Sequence, residues 1–138
     1  MANKVRKVNY CYVSAPSRSG QGATILGKIR EEGINMFGFS GFPTKGGKAQ
    51  LDLVTNEIPK IRRLAKQNGW TISETKKGFL VQGSDGVGAV HRQIKKLADE
   101  KINITAADAV ASGDGGYGMM LWVKPKDYAR AARTLGAR

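Results

Sequence analysis

The turn Ser84-Asp85-Gly86-Val87-Gly88 lies between a strand-like run, Gly78 to Gly83, and a helical one, Val87 to Glu100. A turn of this kind can hold a zwitterion. Its glycines let backbone N–H groups approach a ligand, and the start of the helix favours a carboxylate through its free donors and its dipole. The aspartate can meet an ammonium group. Other chemistries lack their parts. Ser84, Asp85 and His91 are the residue types of a hydrolytic triad, but Gln82-Gly83-Ser84-Asp85-Gly86 lacks the first glycine of a nucleophile elbow, and His91 is the only histidine. Gly20-x-Gly22 and Gly86-x-Gly88 are half of a dinucleotide fingerprint whose third glycine is replaced by Ile25 and His91. Gly41 and Gly46 are spaced as in a phosphate loop, yet Gly47 stands where a lysine is required. One histidine and one cysteine, Cys11, make no zinc site and no internal disulfide. The expectation is a chain without catalytic residues, metal or cofactor.

The elements that carry this turn occur twice. Gly20, Ile34 and Asn35 recur as Gly88, Ile102 and Asn103, each displaced by 68 positions, and Leu26 and Ile29 fall on Ile94 and Leu97. In the first copy Val8 to Ser14 alternates as a strand, and Ala15 to Gly20 is a turn. A helix then carries Gly22, Leu26 and Ile29 on one stripe and ends at Gly33. Ile34 to Phe42 and Ala49 to Thr55 read as antiparallel strands joined by the Pro43 to Gly47 turn. A second helix runs from Ile58 to Gly69, and Trp70 to Glu74 alternates as a fourth strand. The second copy repeats the order: strand Gly78 to Gly83, a helix with Val90, Ile94, Leu97 and Ala98 on its apolar stripe, strands Asn103 to Ala111 and Tyr117 to Val123, and a helix opened by Pro125. Its fourth strand is missing. The reading is an α+β chain of two ferredoxin-like βαββαβ units in tandem, with antiparallel sheets and helices on one face, the second unit lacking its last strand. The units are residues 1–76 and 77–138.

The second copy, with Asp85-Gly86-Val87-Gly88 before its helix and Ile102-Asn103-Ile104 after it, resembles the ACT domain, a small regulatory module that binds amino acids. The first copy, with Ser17-Arg18-Ser19-Gly20 and Gly33-Ile34-Asn35-Met36, is similar to the same pattern, so the likeness covers essentially the whole chain as a tandem pair. The resemblance implies an amino-acid or small-carboxylate site at Asp85, Gly86, Val87, Gly88, Ile102, Asn103 and Ile104, with the ligand bridging two ACT units. It implies a second at Ser17, Arg18, Gly20, Ile34, Asn35 and Met36. The first copy departs from the pattern where charge matters, because Ser17 replaces the aspartate and Arg18 adds a positive charge. The crossover helix is expected to bring the turn after the first strand beside the start of the second strand, so that the two segments form one pocket lip.

With 138 residues, each copy alone buries only a modest core. The N-terminus has no long apolar stretch and no signal-peptide cleavage pattern, which points to a cytoplasmic protein away from the membrane. A net charge of +12 raises nucleic-acid binding as an alternative. The basic residues, however, are spread over an N-terminal arm, the helices and the C-terminal tail, the pattern of solvated helix faces, and the expectation is against a nucleic-acid partner. The run Lys77-Gly78-Phe79-Leu80-Val81 imitates an RNA-recognition octapeptide but opens a unit rather than forming its third strand, so Phe79 is read as core. A further reading is the regulatory subunit of a separately encoded enzyme. The open fourth-strand position suggests a symmetric homodimer. Cover by the Met1 to Lys7 arm is the intramolecular alternative.

Overall fold

The computed structural model describes residues 3–138, so Met1 and Ala2 of the N-terminal arm lie outside the described residues. The rest form two compact units: Asn9–Lys76, and Lys77–Arg138 together with the described residues up to Val8. This corrects the assignment of residues 1–76 to one unit. The first strand, β1, runs from Lys4 to Pro16, five residues before Asn9 and eight from it onward, so each unit uses its own stretch of the strand.

In the Asn9–Lys76 unit, helix α1 (Gln21–Glu31) follows β1, then the hairpin β2 (Gly38–Thr44) and β3 (Lys48–Val54), helix α2 (Ile58–Asn68) and the short strand β4 (Thr71–Ile72). The strands lie in the order β2-β3-β1-β4, all antiparallel, with Phe39 opposite Leu53, Cys11 opposite Leu53, and Val13 opposite both Leu51 and Ile72. Period-two alternation puts Cys11, Val13, Leu51 and Leu53 on one face, where Ile25 and Ile29 of α1 and Ile58, Ile61 and Leu64 of α2 pack against them. Burial pushes the Cys11 thiol up to about 11, so it stays neutral and is packing material. The expected fourth strand stops early because Ser73 takes over the pairing. Tyr12 N–H donates to the Ser73 hydroxyl (2.9 Å), and Ser73 N–H donates to the Tyr12 carbonyl (2.9 Å).

In the other unit, β5 (Lys76–Ser84) leads into α3 (Ala89–Asp99), β6 (Ile104–Ala111), β7 (Gly116–Val123), a single 3₁₀ turn (Pro125–Asp127) and α4 (Tyr128–Leu135). Sheet neighbours run β1-β5-β7-β6, so the opening stretch of β1 occupies the fourth-strand position that the second copy lacks. Each unit is thus the expected α+β arrangement, an antiparallel sheet with two helices packed on it in ferredoxin-like order. Val5 is buried in this unit's core with Phe79, Val81, Leu97, Met119, Leu121 and Leu135. β1 and the last residue are tied together here: Lys7 N–H donates to the Arg138 carbonyl (3.0 Å) and Arg138 N–H to the Val5 carbonyl (3.1 Å). The gap that suggested a homodimer is therefore filled from within the chain. Phe79 is fully buried and stacks on Tyr128 with ring centroids 4.6 Å apart, which removes it from any base-stacking surface.

The helix ends repeat as the sequence implied. Gly33 (φ 69°) and Lys101 (φ 56°), 68 residues apart, both adopt the left-handed conformation after their helices. The next residue in each copy then donates back to the helix, Ile34 N–H to the Ile29 carbonyl and Ile102 N–H to the Leu97 carbonyl. The buried face of α3 is Ala89, Gln93 and Leu97 rather than the stripe through Val90 and Ala98, so the helix is rotated from the sequence expectation and Val90 is left 40% exposed.

Candidate functional site

Both copies start their first helix in the same way. Gly20 (φ 88°) and Gly88 (φ 82°) are left-handed N-caps, and no side chain caps either helix. A side chain is strained at this φ, which explains why glycine stands at both positions. At α3, Ala89 N–H donates to the Gly86 carbonyl (3.2 Å) and Arg92 N–H to the Gly88 carbonyl (3.0 Å). The first-turn N–H groups of Val90 and His91 have no acceptor within the helix, which leaves donors and the positive end of the dipole for an anion.

The Asp85 loop is anchored to the β6–β7 turn. Asp85 N–H donates to the Gly115 carbonyl (2.9 Å). That turn is itself fixed by Asp114, whose carboxylate accepts from the Ser112 hydroxyl and from the Gly116 N–H (3.1 Å). Those bonds, the Ser112 hydroxyl foremost, hold the Asp114 carboxyl below its usual range. Close approach at the end of β5 requires Gly83, where an added Cβ would run into the Asn3 side chain and lie 3.2 Å from the Tyr117 ring.

These elements frame a cavity of about 350 Å³. Its wall is Asp85, Gly86 and Gly88 from the loop, Ala89, Val90 and His91 from α3, Ala109, Val110 and Ala111 from the end of β6, and Tyr117 from β7. Tyr117 is buried, and its hydroxyl donates a long bond to the Ala89 carbonyl (3.5 Å). Burial raises the Tyr117 phenol, a shift that nearby Arg92 opposes. The Arg92 guanidinium also lies 3.8 Å from where a Gly88 Cβ would be, so a cation stands near this glycine of the cavity wall. Such a cavity can take the ammonium and the carboxylate of one small zwitterion.

The expected single lip does not form within a unit. Strand registers pair Ser84 with Gly116 and Ala111 with Tyr117 at one end of the sheet, whereas Ile104 pairs with Val123 at the other, about 23 Å along β6. The physical reason is direction. A crossover helix returns the chain to the end where the first strand began, so β5 and β6 run parallel on either side of β7, and the loop after β5 meets the end of β6, not its start. Ile102 is buried in the core, Asn103 is exposed, and Ile104 is partly buried against the core; Val87 is fully exposed.

The first copy shows the same separation. Ser17 N–H donates to the Gly47 carbonyl (2.8 Å) beside the β2–β3 turn, while Gly38 at the start of β2 pairs with Val54 at the far end. Ser17, Arg18 and Gly20 are exposed, Ile34 is buried in its own core, the Asn35 carbonyl accepts from the Thr55 hydroxyl (2.8 Å), and Met36 is partly buried. The cavity residues missing from the sequence expectation are Ala89, Val90 and His91 on the helix, and Ala109, Val110, Ala111 and Tyr117 on the strands. For the strand residues, the parallel course of β5 and β6 was the signal that could have found them.

Among the described residues no helix is long and apolar enough to cross a membrane, and no group of three or more His, Cys, Asp or Glu side chains is placed to hold a metal ion. Solved structures share the fold at low sequence identity. A protein from Bacteroides thetaiotaomicron matches with a TM-score of 0.80 at 14% identity, over 97% of this chain and 88% of its own. A chain of the aspartokinase alpha and beta subunits matches with a TM-score of 0.65 at 14% identity, over 98% of this chain and 95% of that one. The regulatory subunit of aspartate kinase from Thermus flavus gives 0.62 at 15% identity, over 98% and 94%. No protein-family model matches the chain, and no curated protein matches it by sequence.

Proposed function

We propose that the chain is a non-catalytic regulatory module that binds an amino acid, or a similar small carboxylate, in the cavity at the start of α3. The observation that carries this reading is the cavity itself, whose wall includes both Asp85 and the first-turn residues Val90 and His91 of α3. The ligand's carboxylate would take the N–H groups of Val90 and His91 and the Arg92 guanidinium, and its ammonium would take Asp85. One of the structures that share the fold is the regulatory subunit of aspartate kinase from Thermus flavus, which supports a regulatory rather than catalytic role and a separately encoded enzyme as partner. Binding would regulate that partner by stabilising the ligand-competent arrangement through differential affinity. The Ser17-Arg18 turn of the first copy, which lacks the acid, is proposed only as a weaker carboxylate site. Residues 4–8 fill the open strand position, which removes the free edge that suggested a homodimer.

Calorimetric titration of the whole chain with the common amino acids tests the reading. At least one is expected to bind, and Asp85→Ala is expected to weaken it by at least about tenfold, as loss of a charge-assisted hydrogen bond of about 1.5–3 kcal/mol requires. Equal affinity for the wild type and Asp85→Ala would contradict the assignment of the ammonium site.

A further inference from the structure

Among the described residues the exposed large hydrophobic side chains are Phe39, Phe42, Val87, Val90 and Val110, and two of these, Val90 (40%) and Val110 (73%), line the cavity at the start of α3. Single exposed apolar residues are ordinary, but two on one concave wall mark a surface that an apolar group can cover. The fold explains how they come to be there. α3 buries Ala89, Gln93 and Leu97, so Val90, the next residue round the helix from Ala89, is turned out of the core and onto the cavity wall. Along β6, register places Ala107, Ala109 and Ala111 opposite the core residues Leu121, Met119 and Tyr117, on the sheet face that carries the helices, yet all three alanines are exposed. β6 is an edge strand, and the helices leave these positions uncovered. Val90 with Ala109 and Ala111 thus lines an apolar trough that stays open to water.

We propose that this trough is the side-chain subsite of the cavity and that it selects a branched aliphatic amino acid, of the valine, leucine and isoleucine class. The inference rests on the amino-acid reading of the site given above. The lining side chains with a polar group are Asp85, His91 and Tyr117, and the Tyr117 hydroxyl is already bonded to the Ala89 carbonyl. Asp85 is the acid of the wall and is assigned to the ligand's ammonium, so a lysine side chain would bring a second ammonium without a second carboxylate to meet it. An acidic side chain would add a second carboxylate to a helix start already assigned to the first. A branched hydrocarbon side chain needs no polar partner and takes the methyl groups of Val90, Val110, Ala109 and Ala111 out of water. Each methylene so buried strengthens binding about fourfold. A cavity of about 350 Å³ falls at the small end of ligand sites, the size class of a single amino acid.

Calorimetric titration of the full chain with valine, leucine, isoleucine, alanine, lysine and aspartate tests this on the wild type and on Val90→Thr, which keeps the shape of the side chain and exchanges a methyl for a hydroxyl. The wild type is expected to bind at least one of the three branched amino acids about tenfold or more tighter than alanine, lysine or aspartate. Val90→Thr is expected to weaken that ligand about threefold or more and to change alanine by less than about twofold, a split that general damage to the fold does not produce. A wild type that binds alanine, lysine or aspartate as tightly as the branched ligands overturns the proposal and leaves the cavity reading standing. The same holds where Val90→Thr leaves the branched ligand untouched or weakens all ligands alike. A wild type that binds no amino acid overturns the cavity reading and this proposal together. The wild-type ranking decides the matter even where the variant does not fold.

Discussion

Val5→Asp is expected to cost about 3 kcal/mol or more, enough to unfold the Lys77–Arg138 unit or bring it close to unfolding, because it puts a charge into an apolar core without a partner. Val5 is 7% exposed and packs with Phe79, Val81 and Leu121. A substitution in the first few residues of a domain is ordinarily mild, since such segments are loosely held unless tied down. Here residues 4–8 are a strand of the sheet. Urea unfolding followed by amide exchange should show early loss of protection at β5 and β7. Wild-type protection of those strands in Val5→Asp would mean that residues 4–8 are not part of the unit's core.

Gly88→Val is expected to abolish ligand binding while lowering stability by about 1–2 kcal/mol, the cost of holding a residue with a Cβ at positive φ. Gly88 has φ 82° at the N-cap of α3 and lines the cavity. A β-branched side chain there shifts the loop, and the first-turn N–H groups lose their aim. Gly86→Ala provides the comparison, because Gly86 lies in the same loop without positive φ and an added Cβ would meet nothing within 4 Å. It is expected to keep the fold and most of the stability. Thermal melts and calorimetry on the two variants check this, and full binding by Gly88→Val would remove the loop from the site.

The sequence made the repeat legible because packing and backbone geometry are local matters. The shift of 68 residues aligns Gly20 with Gly88 and Gly33 with Lys101, and all four adopt positive φ. Strand alternation likewise marked Leu51 and Leu53 of β3 as core residues. What escaped was long-range direction. Nothing local in Ile102-Asn103-Ile104 says that it lies at the far end of the sheet from Asp85; only strand register does, and it brings Ala109, Val110, Ala111 and Tyr117 to the loop in its place. For the fourth strand of the second unit the sequence left two readings open, a second copy or the Met1 to Lys7 arm, and it is the arm's side of that choice that holds, because the strand comes from residues 4–8, far away in sequence. The rotation of α3 escaped because Val90 and Ile94 outrank Ala89 and Gln93 in hydropathy, yet the latter pair is the one that the core buries.

The central claim is that the cavity at the start of α3 holds an amino acid. Titrating the ¹⁵N-labelled chain with each of the common amino acids in parallel, while following backbone amide shifts, tests it most directly. Saturable changes are expected for at least one amino acid, centred on Asp85, Gly88, Val90, His91 and Tyr117, with the amides around Ile102 and Asn103 left in place. Saturable changes centred elsewhere, or none with any amino acid at millimolar concentration, would contradict it.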